Sequence, residues 1–156
     1  MFPTQKTNIR AAEFLEAAQG ELHLQAHQLV QRFREIRDGL VQDQQQQAAR
    51  RGIAENRRPD RVWAPLMFRA REREPYLYLE WFATSPAKER GKYHKSRMAR
   101  PKGAGGNYDI RTLRASCPEY LHHLVEETEK EARYLRERLR MLTDARRLIG
   151  QLFAPP

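Results

Sequence analysis

The sequence predicts an α+β fold: a long, coiled-coil-like antiparallel helical hairpin carrying an inserted three-stranded antiparallel β-sheet. Three observations predict it. Apolar residues towards each end of the chain recur in alternating steps of four and three, the period of a helical seam. Two short middle runs, residues 62–68 and 76–82, are rich in the aromatic residues that favour strands. The net charge of +9 falls within the middle of the chain, residues 50–102. At 156 residues the chain has the length of a single domain.

The N-terminal helix is expected over residues 8–50, capped by Thr7 or Asn8. Its seam is Leu22, Ala26, Leu29, Phe33, Ile36 and Leu40, with Gln19 as an interruption and Gly20 as a weak point. Beyond Leu40 a glutamine-rich run continues the helix with little to pack against, and Gly52 followed by Pro59 is expected to end it. Residues 57–102 form the sheet module. A first strand is expected over 62–71, at an edge or bulged because Pro65 has no N–H for the ladder. After a turn at 72–75, a second strand over 76–84 puts Leu77, Leu79 and Trp81 on one face and Tyr76, Tyr78, Glu80 and Phe82 on the other. A basic loop at 85–92 leads to a third strand over 93–100, which makes the second strand central.

A glycine-rich joint at 101–107 and one or two helical turns at 108–113 follow. Ser116-Cys117-Pro118-Glu119 then reads as a capping box that opens a second long helix over 116–150. Its seam is Leu121, Val125, Thr128, Ala132, Leu135, Leu139, Leu142 and Ile149, broken at Arg146. Each long helix is expected to span roughly 45–60 Å at ~1.5 Å per residue. Similar seams can also pair between chains, so a homodimer is open.

Charge placement directs the functional reading. Residues 50–102 hold 15 Lys/Arg against 6 Asp/Glu, which is +9, and the remainder holds 14 of each. A basic excess confined to one aromatic module is the footprint of a polyanion-binding surface. The candidate DNA contacts are Arg57, Arg58, Arg61, Arg69, Arg71, Lys88, Arg90, Lys92, Lys95, Arg97, Arg100 and Lys102, with Tyr76 and Tyr78 as aromatic contacts. The composition suits groove-reading strands and base-stacking aromatics equally, so strandedness stays open. The competing reading is a coiled-coil interaction module whose sheet binds a protein partner.

No catalytic constellation emerges, so no enzyme activity, cofactor or small-molecule substrate is expected. His23 and His27 have the spacing of a metal pair but lack further ligands, so a solvated helix face is the better reading. Cys117, the only cysteine, sits where a helix first turn could lower its thiol pKa. With no disulfide, signal peptide or membrane span in view, a cytoplasmic protein is expected.

The order of elements, with Glu80-Trp81-Phe82 in the sheet, a basic third strand and a closing heptad helix, resembles the MobI-like conjugative-transfer family over residues 61–148. These are small mobilisation proteins of integrative conjugative elements and related plasmids. The resemblance implies an accessory factor at the origin of transfer, helping a relaxase start strand transfer without catalysis of its own. The glutamine-rich end of the first helix lies outside it.

Overall fold

In the computed structural model, backbone is described for residues 3–59, 62–73, 76–86, 93–97 and 106–152, and side chains for 9–59, 62–73, 76–84 and 106–152. The elements in order are α1 (Pro3–Ala54), β1 (Leu66–Arg73), β2 (Tyr76–Pro86), β3 (Tyr93–Arg97), α2 (Ile110–Ala115) and α3 (His122–Leu152). The fold is α+β.

Helix α1 begins earlier and ends later than expected. Pro3 is its first residue, a position where the missing N–H is no loss. The helix runs unbroken through Gln19, Gly20 and the glutamine tract for 52 residues, about 78 Å, which exceeds the expected length. Gly52 does not stop it. Asn56 does, in the left-handed region at φ 50°, with its N–H on the Ile53 carbonyl and the Arg57 N–H on the Gly52 carbonyl. These two bonds form a Schellman cap. Gly52 is needed because the returning chain lies on it: a Cβ there would meet the Arg57 carbonyl oxygen at 2.9 Å.

Leu22, Ala26, Leu29 and Phe33 of the seam are buried, and Val30 joins them. Ile36 departs from the seam pattern. It is largely exposed, in a shallow cleft with Leu40, Tyr120 and Leu124. Helices α1 and α3 are in contact, with Arg32 of α1 paired to Glu131 of α3 and Leu40 sharing the cleft with Tyr120.

Strands β1 and β2 form an antiparallel hairpin in register from Leu66 opposite Ala83 to Arg73 opposite Tyr76. Pro65 is outside the strand, unlike the expectation. Its carbonyl accepts from the Thr84 N–H at 2.8 Å and the Thr84 hydroxyl at 3.1 Å, which fixes where β1 starts. The inner face holds Leu66, Phe68, Leu77, Leu79 and Trp81, all buried. Phe33 of α1 meets Phe68 and Trp81 edge-on, with ring centroids 6.0 and 5.2 Å away. Strand β3 is short and lies antiparallel against the far end of β2, from Phe82 opposite Arg97 to Pro86 opposite Tyr93. The expected extension of this strand to Arg100 falls partly outside the described residues.

The anticipated capping box is absent. Ser116 instead closes α2: its hydroxyl donates to the Thr112 carbonyl and its N–H reaches Leu113. The side-chain cap in this region is Asp109, whose carboxylate accepts from the Thr112 N–H and hydroxyl at 3.1 and 2.8 Å. Those bonds hold the Asp109 carboxyl below its usual pKa. After a single 3₁₀ turn over Glu119–Leu121, α3 begins at His122.

Candidate nucleic-acid interface

The register of the hairpin builds an outer face with two facing rows. Met67, Arg69, Arg71 and Arg73 stand on β1, opposite Phe82, Glu80, Tyr78 and Tyr76 on β2. Tyr76 and Tyr78 are 47% and 37% exposed, with ring centroids 6.5 Å apart. The face is not the open aromatic platform that alternation alone suggests. Glu80 and Phe82 are buried on it. Arg69 donates to the Glu80 carboxylate at 3.0 Å and lies 4.9 Å over the Phe82 ring, and Arg71 is 4.0 Å from the same carboxylate. Burying a carboxylate is costly unless it is paired. One acid here orders two arginines, and their side chains stay about a third exposed.

The other predicted contacts divide. Arg57 is exposed and ion-paired with Glu55, and Arg58 is exposed at the end of the α1 cap. Lys95 and Arg97 hold register positions on β3 opposite Thr84 and Phe82, while their side chains lie outside the described residues. Arg61, Lys88, Arg90, Lys92, Arg100 and Lys102 also lie outside them. Arg73, opposite Tyr76 and exposed, belongs to the same outer row although residue reasoning omitted it. Its position at i+2 and i+4 from Arg71 and Arg69 was the signal available for it.

Sequence reasoning missed the buried polar centre behind the hairpin. Glu129 of α3 is fully buried among apolar residues. Its carboxylate accepts from the Trp81 indole N–H at 2.8 Å, the Tyr108 N–H at 2.9 Å and the Arg136 guanidinium at 2.9 and 3.1 Å. Arg133 adds a longer bond at 3.3 Å and donates to the Tyr108 carbonyl at 2.6 Å. Arg136 also donates through Nε to the Leu79 carbonyl at 3.1 Å and stacks 5.1 Å over the Tyr108 ring. One ion pair thus ties α3 to β2 and to the segment entering α2. The signal was a second stripe on α3, Val125, Glu129, Ala132 and Arg136, also spaced 4-3-4 but turned towards the sheet.

Arg136 also forms part of the wall of a groove of about 510 Å³. This groove runs along the Tyr76–Tyr78 end of β2, between Gln19 and His23 of α1 and the segment of α3 that carries Leu139, Arg140, Thr143, Arg146 and Arg147.

The histidine pair and the cysteine considered for metal or thiol chemistry sit as follows. His27 pairs with Glu72 at 2.9 Å and His23 faces Gln19 at 3.5 Å. Among the described residues no group of three His, Cys, Asp or Glu could hold a metal. Cys117 lies between α2 and the 3₁₀ turn, not in the first turn of a long helix, and partial burial raises its thiol pKa against the opposing charge of Arg114. The lowering that a helix first turn could have brought is therefore not realised. No helix among the described residues is long and apolar enough to cross a membrane.

Compared with known protein families, residues 22–150 match the family described as MobI protein. No curated protein and no solved structure gives a significant match.

Proposed function

Since the chain belongs to the MobI protein family, we propose that it is a DNA-binding accessory factor for mobilisation, touching origin-of-transfer DNA through its basic, aromatic sheet. The observation that carries the DNA contact is the placement of charge. The whole net +9 lies in residues 50–102, around the outer row of Arg69, Arg71 and Arg73 that faces Tyr76 and Tyr78. Phosphates attract such a surface without regard to sequence, and the strands then present side chains to the grooves. On this reading the remaining basic candidates between Arg57 and Lys102 contribute further phosphate contacts. On this reading the two long helices, antiparallel and coiled-coil-like, serve as the frame and as the surface for a relaxase or a second copy. The chemistry of strand transfer belongs to the relaxase.

The test is an electrophoretic mobility shift with origin DNA and random DNA at two salt concentrations. With about six phosphates neutralised, affinity for either falls by about three decades between 50 and 200 mM salt. Preference for origin DNA supports sequence recognition, and equal binding limits the role to general DNA contact. No shift with either DNA at low salt overturns the reading and leaves a protein-interaction module. Replacing Lys95 and Arg97 with Ala weakens binding if β3 belongs to the contact surface. Unchanged affinity in a folded variant removes that strand from it.

A further inference from the structure

We infer that the groove at the open edge of β2 is a binding site for single-stranded DNA, holding unpaired bases against Tyr76 and Tyr78 and phosphates on Arg140 and Arg146. The inference rests on the DNA-binding reading above and goes beyond it by naming the strand state and a second contact surface.

Strand topology makes the groove. Among the described residues β3 pairs with 82–86, so the Tyr76–Trp81 half of β2 has no described strand beside it on that edge. Arg136 caps the edge by donating to the Leu79 carbonyl, and the space beyond is walled by Gln19 and His23 on one side and α3 on the other. Its volume of about 510 Å³ is that of a small-ligand site. Such a volume admits a nucleotide and is too small for a duplex.

Composition then selects the occupant. Among the described residues no Asp or Glu lines the groove. Arg136 is neutralised by Glu129, and Arg147 is held 3.8 Å from Asp144. Arg140 and Arg146 have no carboxylate partner among the described residues, so two uncompensated arginines line the groove together with Tyr76 and Tyr78, both of which are exposed. Aromatic rings next to cations bind nucleic acid by stacking on a base while holding its phosphate. Duplex bases already have both faces stacked, so only an unpaired base can use these rings. An acidic peptide adding a strand to the edge would satisfy the cations but leave the rings without a stacking partner.

The experiment is fluorescence anisotropy with a labelled twelve-residue oligothymidylate at 50 mM salt, beside an origin duplex, using the full chain. Arg140→Ala with Arg146→Ala is expected to weaken single-strand binding by about tenfold or more and to flatten its salt dependence, with duplex binding unchanged. Tyr76→Ala with Tyr78→Ala weakens single-strand binding by about tenfold or more, whereas Tyr76→Phe with Tyr78→Phe keeps the rings and the affinity. As a check independent of substitutions, 5-bromodeoxyuridine in the oligomer crosslinks to Tyr76 or Tyr78. Duplex binding without oligomer binding overturns the groove site and leaves the DNA-binding reading standing. Oligomer binding that survives both alanine variants, or crosslinks confined to other segments, overturns the groove site as well. If neither DNA binds, both readings fall together.

Discussion

Replacing Glu129 with glutamine removes one charge from the most enclosed part of the molecule. Oε1 accepts from the Tyr108 N–H, Arg136 and Arg133, and Oε2 accepts from Trp81 and Arg136. A glutamine amide has one acceptor oxygen and one NH₂ group. In either orientation the NH₂ faces at least two donors, so at least two hydrogen bonds are lost. The Arg136 side chain, only 8% exposed, is left with its charge uncompensated. Removing one member of a buried pair costs about 3–5 kcal/mol. At about 2–4 °C per kcal/mol for a chain of this size, Glu129→Gln lowers Tm by about 6–20 °C. Thermal unfolding followed by far-ultraviolet circular dichroism measures this. Glu131→Gln is the control, since its pair with Arg32 is half exposed on both sides and such pairs contribute about 0–1 kcal/mol.

The pair itself is isolated by adding Arg136→Met. If Glu129 acts mainly through Arg136, the double variant loses less than the sum of the singles, by about 0.5–3 kcal/mol. A drop below about 3 °C for Glu129→Gln would refute the reasoning, because the carboxylate would then not be the anchor its geometry implies. Strictly additive losses would instead assign the stability to the Trp81 and Tyr108 bonds.

Other expectations follow from local geometry. Gly52→Ala meets backbone at 2.9 Å, so overpacking of ~1–3 kcal/mol exceeds the ~1 kcal/mol gain in helix propensity and Tm falls. Gly20→Ala and Gly39→Ala meet nothing within 4 Å and raise Tm by the propensity term alone, so a fall at these two sites or a rise at Gly52 contradicts the assignment. Burial raises the Cys117 pKa, so at pH 8 the folded chain holds less of the reactive thiolate than the unfolded chain. Iodoacetamide therefore labels Cys117 more slowly in buffer than in urea, and equal rates would place the thiol in open solvent.

Periodicity made the long helices legible, because a seam repeats and each member reinforces the others. Leu22, Ala26, Leu29 and Phe33, and Leu121, Val125, Thr128, Ala132 and Leu135, are buried where the steps of four and three put them. Alternation likewise sorted Leu77, Leu79 and Trp81 to the inner face. Features that depend on which of two neighbouring elements takes a residue were not legible. Ser116 carries the pattern of an N-cap, yet α2 ends at Ala115 and takes the Ser116 hydroxyl for its own last carbonyls. Pro65 looks like a strand residue until Thr84 arrives from the other strand to bond its carbonyl. Glu129 and Arg136 lie outside the expected seam, and nothing local says that a tryptophan 48 residues before Glu129 will bond its carboxylate. Likewise, Arg69 and Arg71 read as free cations because Glu80 was assigned to a face without a depth.

The buried pair and the proposed groove are two consequences of one arrangement of α3. Arg136, Arg140, Thr143 and Arg147 continue the sheet-facing 4-3-4 stripe that starts at Val125 and Glu129. Along this stripe the depth of cover falls. Glu129 is enclosed, Arg136 is nearly so, and Arg140 is exposed. Cover falls because the sheet stops: β2 begins at Tyr76, and α3 continues past it to Leu152. A cation under the sheet needs a fixed anion, and Glu129 supplies it. A cation beyond the sheet edge has no such need and remains open to an anion from outside. The same helix therefore anchors the sheet at Arg136 and presents uncompensated charge one turn later. Strengthening the anchor and neutralising Arg140 should thus be separable in effect, since the first acts on Tm and the second on the salt dependence of DNA binding.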